Sequence, residues 1–391
     1  MTPEPTQRFT VDGDDALESH LAELCDQVHL GVSGIVPPHR LRGILLGGGY
    51  GRGEGGVLHT PEGQRPYNDL EFYVFTPGPA PIDEHRFRRP LHALGERLGP
   101  RSGLDVEFKV LSPAKLRRSA PSMFYYDLVL GHRWIAGDDG LLRGCDHLRD
   151  PSRIPLHEAT RLLLNRTTGL LFAAERLARP TFGPDDADFV GRNLAKACLA
   201  FGDIVLAARG LYHASCRERH RRLADLAASA PPAPQDLSWD TLLSRHAEGV
   251  AFKLHPFRST DSRETLARHH DQISTLAHRL WLWLEGRRLG QTFSSGGDYA
   301  RSRLDKCPET SPWRNRLINF RTFGLKTPLC TKGARYPRER LLHSLPLLLW
   351  EFPRQAPPPD LSGRLRWELM ARRDDLPGWV AAYERLWHRF N

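Results

Sequence analysis

From residue 14 to about 32, Leu17, Leu21, Leu24, Cys25 and Val28 recur at three- and four-residue intervals, the spacing of an amphipathic helix with one apolar face. Pro37 and Pro38 end that pattern, and the apolar run Ile44, Leu45, Leu46 then leads into a glycine cluster, G-G-G-Y-G-R-G-E-G-G over 47–56. Two stretches alternate acid with apolar. N-D-L-E-F-Y-V-F puts Asp69 and Glu71 on one side of a strand and Leu70 and Phe72 on the other, and L-D-V-E-F-K-V over 104–110 does the same with Asp105 and Glu107. A helix is predicted between them at 83–98, set off by Pro77, Pro79 and Pro81. The order strand, turn, strand, helix, strand predicts an α+β domain, a small mixed sheet with helices packed on it.

After Pro155 the period changes to that of long helices. Leu162, Leu163, Gly169, Leu170 and Ala173 form one stripe, and Phe189, Leu194, Ala197, Phe201, Ile204 and Val205 form another, with T-F-G-P-D-D as the loop between them. Such stripes predict an antiparallel helix pair. A proline- and alanine-rich stretch at 229–238 reads as a linker, and 262–289 as a further helix on which His269, His270 and His278 are expected to face solvent. Residues 341–391 return to helix. The expected organisation is a disordered tail at 1–13, a catalytic domain at 14–150, a helical domain at 151–290 and a basic, aromatic-containing region at 291–391 packed with it.

Composition narrows the class. At 391 residues the chain exceeds one ordinary core, and 40% hydrophobic with 26% charged residues is the balance of a soluble protein. No run of eighteen apolar residues is present, no basic-then-apolar leader opens the chain, and the six cysteines form no C-x-x-C pair. No membrane association and a cytoplasmic setting are the expectation. The net charge of +9 suits a polyanionic substrate or partner, and equally an arginine-rich surface. Between 301 and 340, eleven Lys or Arg face three acids, with Trp313, Phe320, Phe323 and Tyr336 interleaved, a mixture suited to bases and phosphates. F-S-S-G-G-D-Y over 293–299 reads as a turn or a phosphate nest, and Tyr125, Tyr126 and Trp134 as core aromatics or a base platform.

If the two acidic strands are neighbours, three or four carboxylates converge beside the glycine turn, a donor set that suits Mg²⁺. With G-G-Y-G-R-G-E at 48–54, the paired acids and a third acid on a later strand, residues 36–150 resemble the polymerase-beta-type nucleotidyltransferase superfamily. The resemblance implies that Asp69, Glu71 and Glu107 are metal ligands for two Mg²⁺ ions, with Asp105 the other choice for the third ligand or an acceptor-side group. It implies that Gly48 and Gly49 cradle the triphosphate of an NTP, ATP as the expected donor, and that a helix leading into a short strand closes the domain at 121–137. Gly49 stands where many members carry a serine, and the gap from there to Asp69 is longer than usual. Arg52 is a candidate for a phosphate oxygen or for pairing with Glu54. In the helical domain that follows in many members, Lys196 is a candidate for the triphosphate and Asp203 for the acceptor side, or both belong to a charge network on one helix face.

The function implied is transfer of a nucleoside monophosphate from an NTP to an acceptor with release of pyrophosphate. A small molecule, RNA and protein are all open as acceptor, and nucleic acid as a partner. The alternative is a catalytically silent nucleotide- or RNA-binding protein on the same fold; a third reading takes the acids as solvated strand residues and the glycines as a turn.

Overall fold

The computed structural model describes residues 8–229, 231–234, 237–324, 331–353 and 358–391. Residues 1–7 of the expected tail, parts of the expected linker, Lys326 and Cys330 lie outside the described residues. Two compact units divide the chain. The first comprises Met1–Pro155, Arg209–Leu226 and Ala247–Phe257, and the second Leu156–Ala208, Ala227–His246 and Arg258–Asn391.

The fold class is α+β, as the pattern predicts. In the first unit α1 (Asp15–Ile35) opens with Asp14 accepting from the Leu17 amide, a side-chain N-cap. Strand β1 (Gly43–Leu46) runs into a short helical turn α2 (Gly48–Gly51), then β2 (Val57–Thr60), β3 (Gly63–Pro66) and β4 (Asp69–Phe75). Helix α3 (Ala80–Ser102) crosses to β5 (Asp105–Leu111), and α4 (Pro113–Arg118), α5 (Met123–Leu130) and β6 (Arg133–Gly137) complete the segment. The sheet order is β5-β4-β1-β6, with β4 and β5 parallel and β1 antiparallel to both β4 and β6. Ile44, Leu46, Leu70, Phe72 and Val74 face one core with α1 and α3, while Leu45, Tyr73 and Phe75 face a second core with Leu116, Leu128 and Val129. The alternation of a strand therefore puts Asp69 and Glu71 on the second face, beyond its apolar cover.

Three expectations change here. Residues 8–13 pack against the unit: Phe9 is buried, its amide and that of Thr10 donate to Glu18, and Thr10 bridges to Gly55. The long gap before Asp69, which the notion of a surface insertion would leave irregular, holds a hairpin of β2 with β3. Helix α3 is longer than 83–98 and carries Pro90 and Pro100 within it.

The second unit is helical. Helices α6 (Leu156–Leu177) and α7 (Pro184–Ala208) pair as their stripes predict, and α10 (Arg263–Leu289) packs on both. Between them in sequence lie α8 (Cys216–Ala228), which begins in the first unit, and α9 (Trp239–Leu254), which ends there. After α10 come α11 (Gly296–Arg301), α12 (Pro312–Phe323), α13 (Arg338–Pro346), α14 (Pro359–Leu369) and α15 (Leu376–Phe390). His270 is buried, bonded to the Leu170 carbonyl, and His278 stacks on Trp350, so the expectation of solvent-facing histidines fails for His270. Among the described residues no helix is long and apolar enough to cross a membrane.

Candidate functional site

Parallel pairing of β4 with β5 sets Asp69 opposite Asp105, Glu71 opposite Glu107 and Tyr73 opposite Lys109. Because paired residues share a face and neighbouring strands lie about 4.8 Å apart, four carboxylates form two adjacent rows on one surface. Asp105 and Glu107 are exposed, and Asp69 and Glu71 are half-buried. Unpaired, such rows would repel, and Glu71 shows how the chain manages this. Lys109 Nζ lies 3.2 Å from Glu71 Oε1, and the Tyr73 hydroxyl donates to Oε2 at 3.1 Å. Burial, then the Glu71 charge, pushes the Tyr73 phenol well above its ordinary range, so it stays a donor. The Asn68 amide donates to Asp69 from a left-handed backbone, φ +82°, a conformation asparagine tolerates better than most residues.

The glycine turn abuts this surface. The Gly47 amide donates to the Glu71 carbonyl, and a Cβ on Gly48, where φ is +64°, would lie 3.5 Å from Glu71 Oε2. At Gly49 a Cβ would stand 2.9 Å from the Glu54 carbonyl oxygen. The position where the family resemblance leads one to expect serine therefore has no room for a side chain unless the Glu54 backbone shifts, and the polar groups that the turn offers here are backbone amides.

Arg52 and Glu54 pair, Nε to Oε2 at 3.6 Å. Glu54 is buried and is spoken for on both oxygens: it accepts from Ser215 Oγ at 2.6 Å, the Cys216 amide at 2.8 Å and the Arg217 amide at 3.3 Å. It thus caps the N-terminus of α8 and ties the glycine turn to it. Burial alone would raise its pKa; the Ser215 hydroxyl, the Cys216 amide, Arg52 and the Arg217 amide outweigh that and hold it below the usual carboxylate range. Tyr50 completes the frame, its hydroxyl donating to the Gly56 carbonyl and accepting from the Tyr67 amide.

Lys253, near the end of α9, was not singled out by sequence. Its carbonyl oxygen would stand 3.1 Å from a Cβ on Gly56, and its half-buried ammonium shares surroundings with Arg52, Arg219 and Glu54. Burial, then the Arg52 charge, brings its pKa down to about 8. Arg52 thus lowers the affinity of Lys253 for a proton near a turn whose one carboxylate, Glu54, is already engaged.

No family model matches the chain, and no curated protein matches it. Among solved structures, the chain is similar to the crystal structure of spectinomycin adenyltransferase AAD(9) from Enterococcus faecialis with ATP and spectinomycin. The two are 14% identical over 65% of this chain and 98% of that one, with a TM-score of 0.35.

Lys196 and Asp203 belong to α7 of the second unit, where Lys196 is half-buried and Asp203 is buried with His246 Nε2 at 3.1 Å. Asp203 is thus engaged by His246 inside a helical core. Tyr126 is a core residue whose hydroxyl bonds the Tyr212 carbonyl. The 293–299 loop starts α11, and its Gly297 amide binds the Glu351 carboxylate, not an open nest.

The donor chemistry of the acidic rows fits a hard divalent cation, since Asp69, Glu71, Asp105 and Glu107 all offer carboxylate oxygens. As the side chains stand, no three metal-ligating groups converge on one point among the described residues. Glu71 is turned to Lys109 instead, so an ion would have to take the place of that ammonium.

Proposed function

We propose that the chain is a divalent-metal-dependent nucleotidyltransferase, moving a nucleoside monophosphate from an NTP to an acceptor hydroxyl with release of pyrophosphate. The observation that carries the reading is the in-register pairing of Asp69 with Asp105 and Glu71 with Glu107 beside a glycine turn whose backbone touches Glu71. Asp69, Glu71 and Glu107 would hold Mg²⁺, with Asp105 as the further acid. When bound, the ions supply charge neutralisation at the phosphates and a lowered pKa at the attacking hydroxyl. The chain's own residues do the rest. The backbone amides at Gly48 and Gly49 hold the phosphates, while Lys253 and Arg52 bring positive charge to that turn. In-line phosphoryl chemistry asks little more than this positioning. ATP is the expected donor.

Calorimetric titration with each of the four nucleoside triphosphates and Mg²⁺, on the native chain and on Asp69→Asn/Glu71→Gln, tests the reading. Binding of a triphosphate that requires metal and is lost in the double variant supports it. Binding that ignores both metal and substitution would leave a silent nucleotide-binding protein, and no binding at all would remove the site.

A further inference from the structure

Helix α12 is folded inside out. Its buried positions are Asn315 and Asn319, 3% and 1% exposed, while Trp313, Leu317 and Phe320 are 64%, 42% and 45% exposed. The asparagines explain the inward face. Asn315 Nδ2 donates to Thr310 Oγ1 and the Ala334 carbonyl, and Asn319 Nδ2 to the Gly333 and Arg335 carbonyls, at 2.8–2.9 Å. The helix is therefore held by these amide donors together with Phe323, whose ring lies against Phe390 and under the Arg340 guanidinium, while Trp313, Leu317 and Phe320 point outward.

The outward residues have a phase. Trp313, Leu317 and Phe320 are spaced four and three apart, the d-a-d positions of a heptad, and they lie within a stripe about 60° wide at 100° per residue. Arg314 and Arg321 then take the e positions and Arg316 the g position, and all three are exposed. No acid occurs in the helix. A narrow apolar seam edged by charge is the surface of a helix that pairs with another helix, whereas a helix lying in a membrane interface needs a broader apolar face. Trp313 and Phe320 are two turns apart, about 10.5 Å, with Leu317 between them, which does not suit stacking of consecutive bases. A second copy of α12 would set arginine against arginine along both edges.

We propose that the outer face of α12 docks an amphipathic helix of a protein partner, one whose apolar seam is edged by Asp or Glu. The seam gives the affinity and the three arginines select the partner's charge.

The test uses the full chain and a fluorescein-labelled designed helix of about three heptads, with Leu at a and d and Glu at e and g, read by fluorescence anisotropy. A control peptide carries Lys at e and g. The Glu peptide should bind at least about tenfold more tightly than the Lys peptide. Arg314→Glu/Arg316→Glu/Arg321→Glu should invert that preference, and Trp313→Ala/Phe320→Ala should abolish binding of both, with circular dichroism unchanged because all five side chains are exposed. Equal binding of the two peptides, no binding of the Glu peptide, or binding that survives the variants would overturn the proposal. So would capture of phosphatidylglycerol vesicles or a short single-stranded RNA that depends on Trp313 and Phe320 while the Glu peptide fails to bind, which would assign the face to a membrane or to nucleic acid.

Discussion

Glu54→Gln removes one charge from a group with four donors around it. Glutamine keeps a single acceptor oxygen, and its NH₂ faces the donors that the second carboxylate oxygen served: Ser215 and Arg217 on one side, or Cys216 and Arg52 on the other. Two charge-assisted bonds at about 1.5–3 kcal/mol each are lost, partly offset by not having to bury a charge, and Arg52 loses its ionic partner. A net loss of about 3 kcal/mol is expected, roughly a 100-fold change in a local opening equilibrium. Hydrogen exchange over the start of α8 reads this directly, and protection of the Cys216 and Arg217 amides should fall by about that factor at pH 7. The pH dependence follows from the depressed folded pKa. The stabilisation is present above the ordinary carboxyl value of 4.5 and is lost as pH falls through the folded value, so the melting-temperature gap between native and variant chains should narrow on acidification. Unchanged protection at pH 7, or a gap of the same size at acid pH, would refute the capping argument.

Lys253→Met should weaken triphosphate binding and at the same time stabilise the chain by about 1–3 kcal/mol at pH 7, because a desolvated ammonium is removed. In the native chain, triphosphate affinity measured by calorimetry should decline as pH rises above about 8, where Lys253 loses its proton. Lys109→Met should tighten Mn²⁺ binding several-fold in electron paramagnetic resonance titrations, since it frees Glu71. In the second unit, burial brings the His343 pKa down to about 3 against the Glu368 contact. The unfolded state takes up a proton below pH 6.5 that the folded state does not, so stability should fall by up to about 1.4 kcal/mol per pH unit there, and His343→Gln should flatten that slope in urea unfolding.

The strands and long helices were legible because each has one buried side: Leu70 and Phe72 alternate with acids, and the α6 and α7 stripes hold the helical period. What a single chain pattern does not contain is the partner of each surface. The row pairing of Asp69 with Asp105 depends on parallel register, which α3 sets from a distance. Lys253 lies about 200 residues from the glycine turn with no motif around it, and only the folded chain brings it beside Gly56. Asn315 and Asn319 carry no signal in the sequence, and it is the carbonyls of 333–335, which need donors, that place them on the inner side of α12. The buried His270 and the Asp203–His246 pair were hidden for the same reason, since a polar residue inside a core is identified by the group it bonds.

Diffraction from crystals grown with Mn²⁺ and a non-hydrolysable ATP analogue, using the anomalous signal of the metal, would locate the ion and the triphosphate in one experiment. The expected result is Mn²⁺ bound by Asp69 and Glu71 with Glu107 or Asp105, Lys109 displaced from Glu71, and the triphosphate on the Gly48–Gly49 backbone. Metal density elsewhere, or a triphosphate bound away from this turn with the Lys109–Glu71 pair intact, would contradict it.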